Sequence, residues 1–79
     1  MLNIYNFDVS KYGDGLAILS YYGENTGNMY HISRDVSAFT VDVETLDEYG
    51  EMQEGPRYIS GSLSSAIAII EALENGEEV

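Results

Sequence analysis

The strongest local signal in the sequence is the apolar pattern between Ser62 and Asn75. Apolar residues recur there at intervals of three and four, which places them on one stripe of an α-helix with polar residues opposite. Ser60 or Ser62 can cap the first turn, and Gly76 can end the helix because glycine enters the left-handed conformation without steric cost. The sequence therefore predicts an amphipathic helix with the stripe Leu63, Ala66, Ile67, Ile70 and Leu73.

The residues before this helix are rich in strand formers and turn formers. The clearest alternation lies at 38–44, where Phe39, Val41 and Val43 are expected to face inward and Thr40, Asp42 and Glu44 outward. Further strands are predicted at 2–9, 16–22 and 28–33, with a short edge strand at 57–59.

Two segments carry more specific expectations. In the first strand, Tyr5, Phe7 and Val9 are expected to share one face, and residues 11–15 are expected to form the turn that follows. The acidic stretch from Thr45 to Gly55 contains two glycines, which predicts a long loop or a short helical turn around residues 46–49.

Together these elements predict an α+β fold, in which a four- to five-stranded antiparallel meander sheet carries one C-terminal amphipathic helix on one face. A length of 79 residues predicts a single domain spanning residues 1–79. The sequence contains no cysteine, so a disulfide scaffold is excluded and the cytoplasm is the expected compartment. The first residues lack the pattern of a signal peptide, and no apolar run approaches the roughly 20 residues that span a bilayer.

The charge of the chain departs most from that of an ordinary domain. Fourteen acidic side chains against three basic ones give a net charge of −11, and no Lys or Arg occurs between Arg34 and Arg57. A hydrophobic content of 44% and seven tyrosines nevertheless favour a folded chain over a disordered one. Because an anionic surface repels nucleic acid and anionic lipid, we expect a basic protein as the partner and no direct binding of nucleic acid or membrane.

Candidate catalytic groups have simpler explanations. Asp42 and Glu44 share a strand face at a spacing of roughly 6.5 to 7 Å, which overlaps that of glycosidase carboxylates. With 14 acids in the chain, such a pair arises by chance. His31 has no second His or Cys to complete a metal site, which favours a structural or surface role. The four serines near the helix start lack a partnered base, so capping explains them better than nucleophilic catalysis.

Metal and cofactor sites are likewise not predicted. A calcium loop starting at Asp42 fails because Leu46 and Asp47 stand where an oxygen ligand and a glycine are needed. Loose binding of a divalent ion by the acidic stretch is left open. We therefore expect no enzyme, no cofactor and no dedicated metal site.

Small size, absence of cysteine, a net charge of −11 and a folded α+β domain without catalytic signature together resemble the phage-encoded nucleic-acid mimics. These include anti-CRISPR proteins, antirestriction proteins and uracil-DNA glycosylase inhibitors. The resemblance lies in composition over the whole chain, with no motif aligned residue by residue. It implies a viral, stoichiometric inhibitor in the host cytoplasm that occupies the nucleic-acid-binding surface of a defence or repair protein, such as an effector or nuclease complex.

The predicted partner-binding surface lies on the strand and acidic stretch between residues 42 and 54. Carboxylates at alternate strand positions are separated by a distance of the same order as neighbouring phosphates. The alternative is a non-catalytic interaction module, such as an immunity or antitoxin-like partner or a homodimer formed through the sheet edge, with Tyr12, Tyr22 and Tyr49 as anchors. The residues predicted to bind a nucleic-acid-binding partner are Asp42, Glu44, Asp47, Glu48, Tyr49, Glu51 and Glu54.

Overall fold

Five antiparallel strands and one helix make up the structure, a computed structural model that describes residues 2–11 and 17–77. The strands pair in chain order, β1 to β5, as a meander, and the helix follows the last strand. The predicted α+β architecture is therefore confirmed, with five strands. The elements are a 3-10 turn at Ile4–Asn6, β1 (Asp8–Lys11), β2 (Ala17–Tyr22), β3 (Met29–Asp35), β4 (Ala38–Leu46), β5 (Met52–Ser60) and α1 (Leu63–Glu74).

The core lies between one face of the sheet and α1. In the register of the strands, Tyr30 stands opposite Val43 and Ile32 opposite Val41, so apolar side chains of β3 and β4 face the helix together. Burial of each large apolar side chain of this kind contributes about 1.5 to 3 kcal/mol. The buried apolar residues are Phe7, Tyr30, Ile32, Val41, Val43, Ala66 and Ile70.

The helix follows the sequence prediction closely. The hydroxyl of Ser62 caps it by accepting a hydrogen bond from the backbone N–H of Ser65 at 3.1 Å. The helix ends at Glu74, and Gly76 just beyond it has a φ of +77°, the left-handed conformation expected there. Ala66 and Ile70 are buried, and the rest of the predicted stripe packs against the core. At 12 residues, α1 is too short to cross a membrane, and no helix in the described part of the chain is long and apolar enough to do so.

The prediction of a strand at 2–9 is wrong for residues 2–7, because β1 begins only at Asp8. Asn3 caps a 3-10 turn there, since its side chain accepts from the N–H of Tyr5 and its own N–H donates to the side chain of Asn6, each at 2.9 Å. Asparagine side chains compete in this way with sheet hydrogen bonds. Of the face predicted for this strand only Phe7 is buried, whereas Tyr5 is 93% exposed. Most of the turn predicted at 11–15 lies outside the described residues.

The prediction of a long loop or helical turn between residues 45 and 55 is also wrong. β4 runs on to Leu46, and the chain reverses over residues 47–51 before β5 begins at Met52. The side chain of Asp47 makes this reversal, because its Oδ1 accepts from the N–H groups of Tyr49 at 2.8 Å and Glu51 at 2.9 Å. The short edge strand predicted at 57–59 is consequently a nine-residue strand.

A β-bulge interrupts the pairing of β4 with β5. Asp42 pairs with Arg57 and Glu44 with Glu54, so Val43 alone faces two residues, Gly55 and Pro56. A Cβ at position 55 would lie 2.8 Å from the carbonyl oxygen of Val43, which explains the glycine there. The bulge brings Glu54 onto the same sheet face as Glu44.

Candidate functional site

The sheet face opposite α1 is not covered by any described element, and we call it the open face. It contains a concavity of about 720 Å³. Because side chains alternate along each strand and the strands are aligned in register, polar residues from four strands meet here. The polar side chains that line it are Ser20, His31, Asp42, Glu44, Glu54 and Arg57.

A chain of three polar side chains crosses β2, β3 and β4 on this face. Ser20 and His31 are direct partners in the register, and the Oγ of Ser20 lies 3.0 Å from Nδ1 of His31. The Nε2 of His31 lies 2.5 Å from Oε1 of Glu44. Because the Glu44 carboxylate can only accept a hydrogen bond, Nε2 carries the hydrogen, and Nδ1 of the neutral ring presents its lone pair to the Ser20 hydroxyl. We call Ser20, His31 and Glu44 the polar relay.

A second ion pair lies beside the relay. The Nε of Arg57 donates to Oδ1 of Asp42 at 2.6 Å, and the two residues are direct partners on β5 and β4. This hydrogen bond, together with the Coulombic attraction of Asp42, raises the pKa of Arg57 and keeps the guanidinium charged. The two strand carboxylates predicted to form a binding row, Asp42 and Glu44, thus face outward as expected but are each already paired within the protein.

The remaining predicted residues lie on what we call the acidic hairpin, residues 45–54. β3 pairs with β4 only as far as Met29 and Glu44, and beyond that pair β4 and β5 have no other strand partner within residues 2–11 and 17–77. The turn of the hairpin exposes Glu48, Tyr49 and Glu51, and Tyr49 is 83% exposed. No Lys or Arg occurs in this segment. The structure therefore gathers carboxylates and one aromatic ring at the end of a two-stranded arm.

The like charges of Glu44 and Glu54 meet at the base of this hairpin. They are direct register partners across β4 and β5, an arrangement that is destabilising when both are ionised. The hydrogen bond between Nε2 of His31 and Glu44 lies beside this pair and stabilises one of its two carboxylates. The base of the hairpin is thus a place where negative potential is concentrated.

Glu74, at the other side of the molecule, has a structural role. It is the last residue of α1, and its carboxylate accepts hydrogen bonds from the hydroxyls of Tyr30 and Thr26 and the backbone N–H of Asn25. Burial, reinforced by Glu74, raises the pKa of Tyr30. These bonds attach the loop between β2 and β3 to the end of the helix.

Two of the alternative tyrosine anchors can be placed. Tyr22 is 55% exposed at the end of β2, and Tyr49 is at the tip of the acidic hairpin, whereas Tyr12 lies outside the described residues.

As for metals, residues 2–11 and 17–77 contain no group of three His, Asp or Glu side chains arranged to hold an ion.

The polar relay was not predicted from the sequence, because His31 has no second His or Cys that would mark it as part of a site. The pairing of His31 with Ser20 depends on the register between β2 and β3, and a slip of one residue would send the two side chains to opposite faces. The available signal was the matching apolar pattern of the two strands, since the same register aligns Leu19 with Ile32 and Tyr21 with Tyr30.

Comparison with known proteins adds no relative from which a function could be transferred. No family model matches the chain, and neither the curated proteins nor the solved structures yield a similar protein. Any function has therefore to be inferred from the surface itself.

Proposed function

We propose that this protein is a stoichiometric inhibitor whose acidic surface binds the basic nucleic-acid-binding site of a host defence or repair protein. The supporting observation is the acidic hairpin, which combines Asp47, Glu48, Glu51 and Glu54 with the exposed Tyr49 and contains no basic residue. In this proposal the protein is a viral factor of the anti-CRISPR type that acts as a nucleic-acid mimic in the host cytoplasm.

The hairpin supports such binding in two ways. Its carboxylates attract a basic groove over distances up to the Debye length of about 8 Å at physiological ionic strength, which speeds association and makes it sensitive to salt. Tyr49 offers a large contact area at a small cost in conformational entropy, as aromatic anchors of interfaces do. Binding of this kind blocks the partner without a chemical step, a cofactor or a metal.

The hairpin is also better ordered than the loop expected from its sequence. Asp47 holds the turn through its two side-chain hydrogen bonds, and the backbone N–H of Asp47 donates to the carbonyl of Glu51 at 2.8 Å. A surface that is already ordered loses little entropy on binding. The turn therefore sets the backbone positions from which the carboxylates project, as a duplex sets the spacing of its phosphates.

The test is a pair of charge-reversal variants that alter net charge equally at different places. Glu48→Lys/Glu51→Lys changes the hairpin, and Asp8→Lys/Glu77→Lys changes exposed acids on β1 and after α1. Each protein is used to capture partners from a bacterial cytosolic extract at low and high salt. The captured partner is then purified, and its binding to nucleic acid is measured with increasing inhibitor.

We expect the unmodified protein and the Asp8→Lys/Glu77→Lys control to abolish nucleic-acid binding by the partner at a one-to-one ratio. The hairpin variant should lose at least tenfold in affinity. Equal inhibition by the hairpin variant, or a partner that still binds nucleic acid when saturated with the protein, would rule out the proposal.

A second candidate function is a non-catalytic interaction module, for example one that forms a homodimer. The exposed edge of the sheet favours this function. Among the described strands β5 pairs only with β4, and it presents Ile59, which is 74% exposed, on the open face. Edge strands of this kind pair readily with another chain. Sedimentation equilibrium separates the two candidates, because a dimer through β5 would persist at high salt, whereas binding through the hairpin weakens.

A further inference from the structure

We infer that the polar relay is a nucleophilic site, in which His31 activates Ser20 and Glu44 positions His31 for the cleavage of acyl esters. This activity goes beyond the binding proposed above and does not depend on it. It rests on the arrangement of three side chains that no part of the binding proposal uses together.

The order of hydrogen-bond donors and acceptors along the relay is the one that a general base requires. The contact of Nε2 with the Glu44 carboxylate fixes the tautomer, so the lone pair of the ring lies at Nδ1, 3.0 Å from the Ser20 hydroxyl. If the ring takes up the serine proton, the resulting imidazolium is stabilised by the carboxylate at 2.5 Å. The same three roles define serine triads in folds that are otherwise unrelated.

The concavity around the relay gives a substrate access to it, and the charged residues there favour substrates of one charge over another. All three side chains line the 720 Å³ concavity, and none of them is fully buried. Asp42 and Arg57 neutralise each other beside the relay, which leaves the charges of Glu44 and Glu54. Because these carboxylates repel anions, neutral or cationic acyl esters are the expected substrates.

The proposed reaction balances without any co-reactant other than water. Ser20 Oγ attacks the ester carbonyl carbon while its proton passes to Nδ1 of His31. The bond between that carbon and the alkoxy oxygen then breaks, and Nδ1 returns the proton to the departing alkoxide. Water attacks the acyl group on Ser20 in the same manner, and the products are the carboxylic acid, the alcohol and the restored hydroxyl.

The first test is covalent labelling of the unmodified protein with a fluorophosphonate probe, followed by mass spectrometry of its peptides. The serine oxygen displaces fluoride from phosphorus, so each modified serine carries a defined added mass. We expect Ser20 to be the dominant modified residue. Because this measurement needs no variant, labelling spread over the exposed serines, or an unlabelled Ser20, overturns the inference.

Variants then connect the label to the relay. His31→Gln should lower the rate of labelling at Ser20 at least tenfold, and Ser20→Ala should remove it. The matched control is Ser33→Ala, because Ser33 is on the same open face of β3 but pairs with Ile18 and Thr40 rather than with a histidine. Circular dichroism confirms that each variant is folded. Labelling at Ser20 that survives in a folded His31→Gln protein overturns the inference.

Glu44 is a positioning residue, and its test is the split between kcat and KM in p-nitrophenyl acetate hydrolysis. In Glu44→Gln kcat should fall at least tenfold with KM little changed, because the carboxylate that orients and stabilises the protonated ring is lost. A purely structural role for Glu44 would leave kcat unchanged in the folded variant. If these esterase experiments fail, the proposed partner binding is unaffected. If the partner-binding experiments fail, the proposed esterase activity is unaffected.

Discussion

The hydroxyl of Tyr30 donates a 2.6 Å hydrogen bond to Oε2 of Glu74, 44 residues further along the chain. Tyr30 is fully buried in the sheet, and Glu74 is the last residue of α1. The bond therefore joins the middle of the core to the end of the helix. Since Asn25 and Thr26 also donate to Glu74, one carboxylate holds the helix, the sheet and the loop before β3 together.

Removing the phenol should destabilise the protein. Tyr30→Phe leaves the ring in place but deprives Glu74 of a donor, and a hydrogen bond to a charged group contributes about 1.5 to 3 kcal/mol. We expect the free energy of unfolding at pH 7 to fall by about that amount in urea titrations. Tyr22→Phe is the control, because Tyr22 is largely exposed and its change should stay within about 0.5 kcal/mol. Equal losses in the two variants would contradict this role for the Tyr30 hydroxyl.

The same pair makes stability depend on alkaline pH. Desolvation raises the pKa of Tyr30 above its ordinary value of 10.0, and Glu74 adds to the effect. The folded state therefore keeps the phenol proton after the unfolded chain has lost it, so this stabilisation is complete below about pH 10 and is lost as pH rises further. Unfolding free energies of the unmodified protein and Tyr30→Phe should converge above pH 10. A difference that stays constant up to pH 12 would contradict the assignment.

Gly23 and Glu74 should show strong coupling in a double-mutant cycle. A Cβ at position 23 would overlap the Glu74 carboxylate, which would have to move away and give up its hydrogen bonds. We expect Gly23→Ala to cost about 1 to 3 kcal/mol in the unmodified background. In a Glu74→Ala background the same change should cost far less, because the obstacle is gone. Additive losses in chemical denaturation would show that the two sites act independently.

Asp47 should determine the order of the acidic hairpin. Asp47→Ala removes the two hydrogen bonds that its side chain accepts in the turn, each of which contributes about 1 kcal/mol. We expect faster amide hydrogen exchange at residues 48–53 with little change in α1. Glu48→Ala is the matched control, because Glu48 is exposed in the same turn and is not one of its hydrogen-bond acceptors. Uniformly faster exchange across the sheet would mean that the hairpin does not open by itself.

The stability losses of two isoleucine substitutions, one in the core and one on the exposed face, should distinguish the contribution of core packing from that of strand preference. Ile70→Ala empties a fully buried position under the sheet and should cost about 2 to 5 kcal/mol. Ile59→Ala removes the same atoms from an exposed position on β5 and should cost less than about 1 kcal/mol. Thermal and urea unfolding of both variants measure this difference. Similar losses would indicate that the open face is covered in solution.

The helix and β4 could be predicted because burial dictates their sequence pattern. Ala66 and Ile70 recur at helical spacing, and Val41 and Val43 at strand spacing, since each element has one face in the same core. Such a pattern depends only on local geometry. It is therefore visible in a single sequence without knowledge of which strands are neighbours.

The acidic hairpin and the polar relay could not be predicted in this way. The hairpin lies mostly outside the core, so residues 45–53 have no apolar alternation and are held by Asp47 and by pairing with each other. The relay depends on the register between β2 and β3, in which Ser20 lies opposite His31, 11 residues further along the chain. Both features follow from the pairing of strands rather than from the preferences of single residues.

The bulge at Gly55 and Pro56 reverses which face of the sheet alternate side chains of β5 point to. After it, Tyr58 and Ser60 contribute to the packed side of the sheet, and before it Glu54 and Met52 align with the open side. An unbroken strand would turn Glu54 towards the side of the helix. Substitutions in the hairpin consequently leave the alternation beneath α1 undisturbed, so the charge of one half of β5 can change over generations while the other half keeps the core.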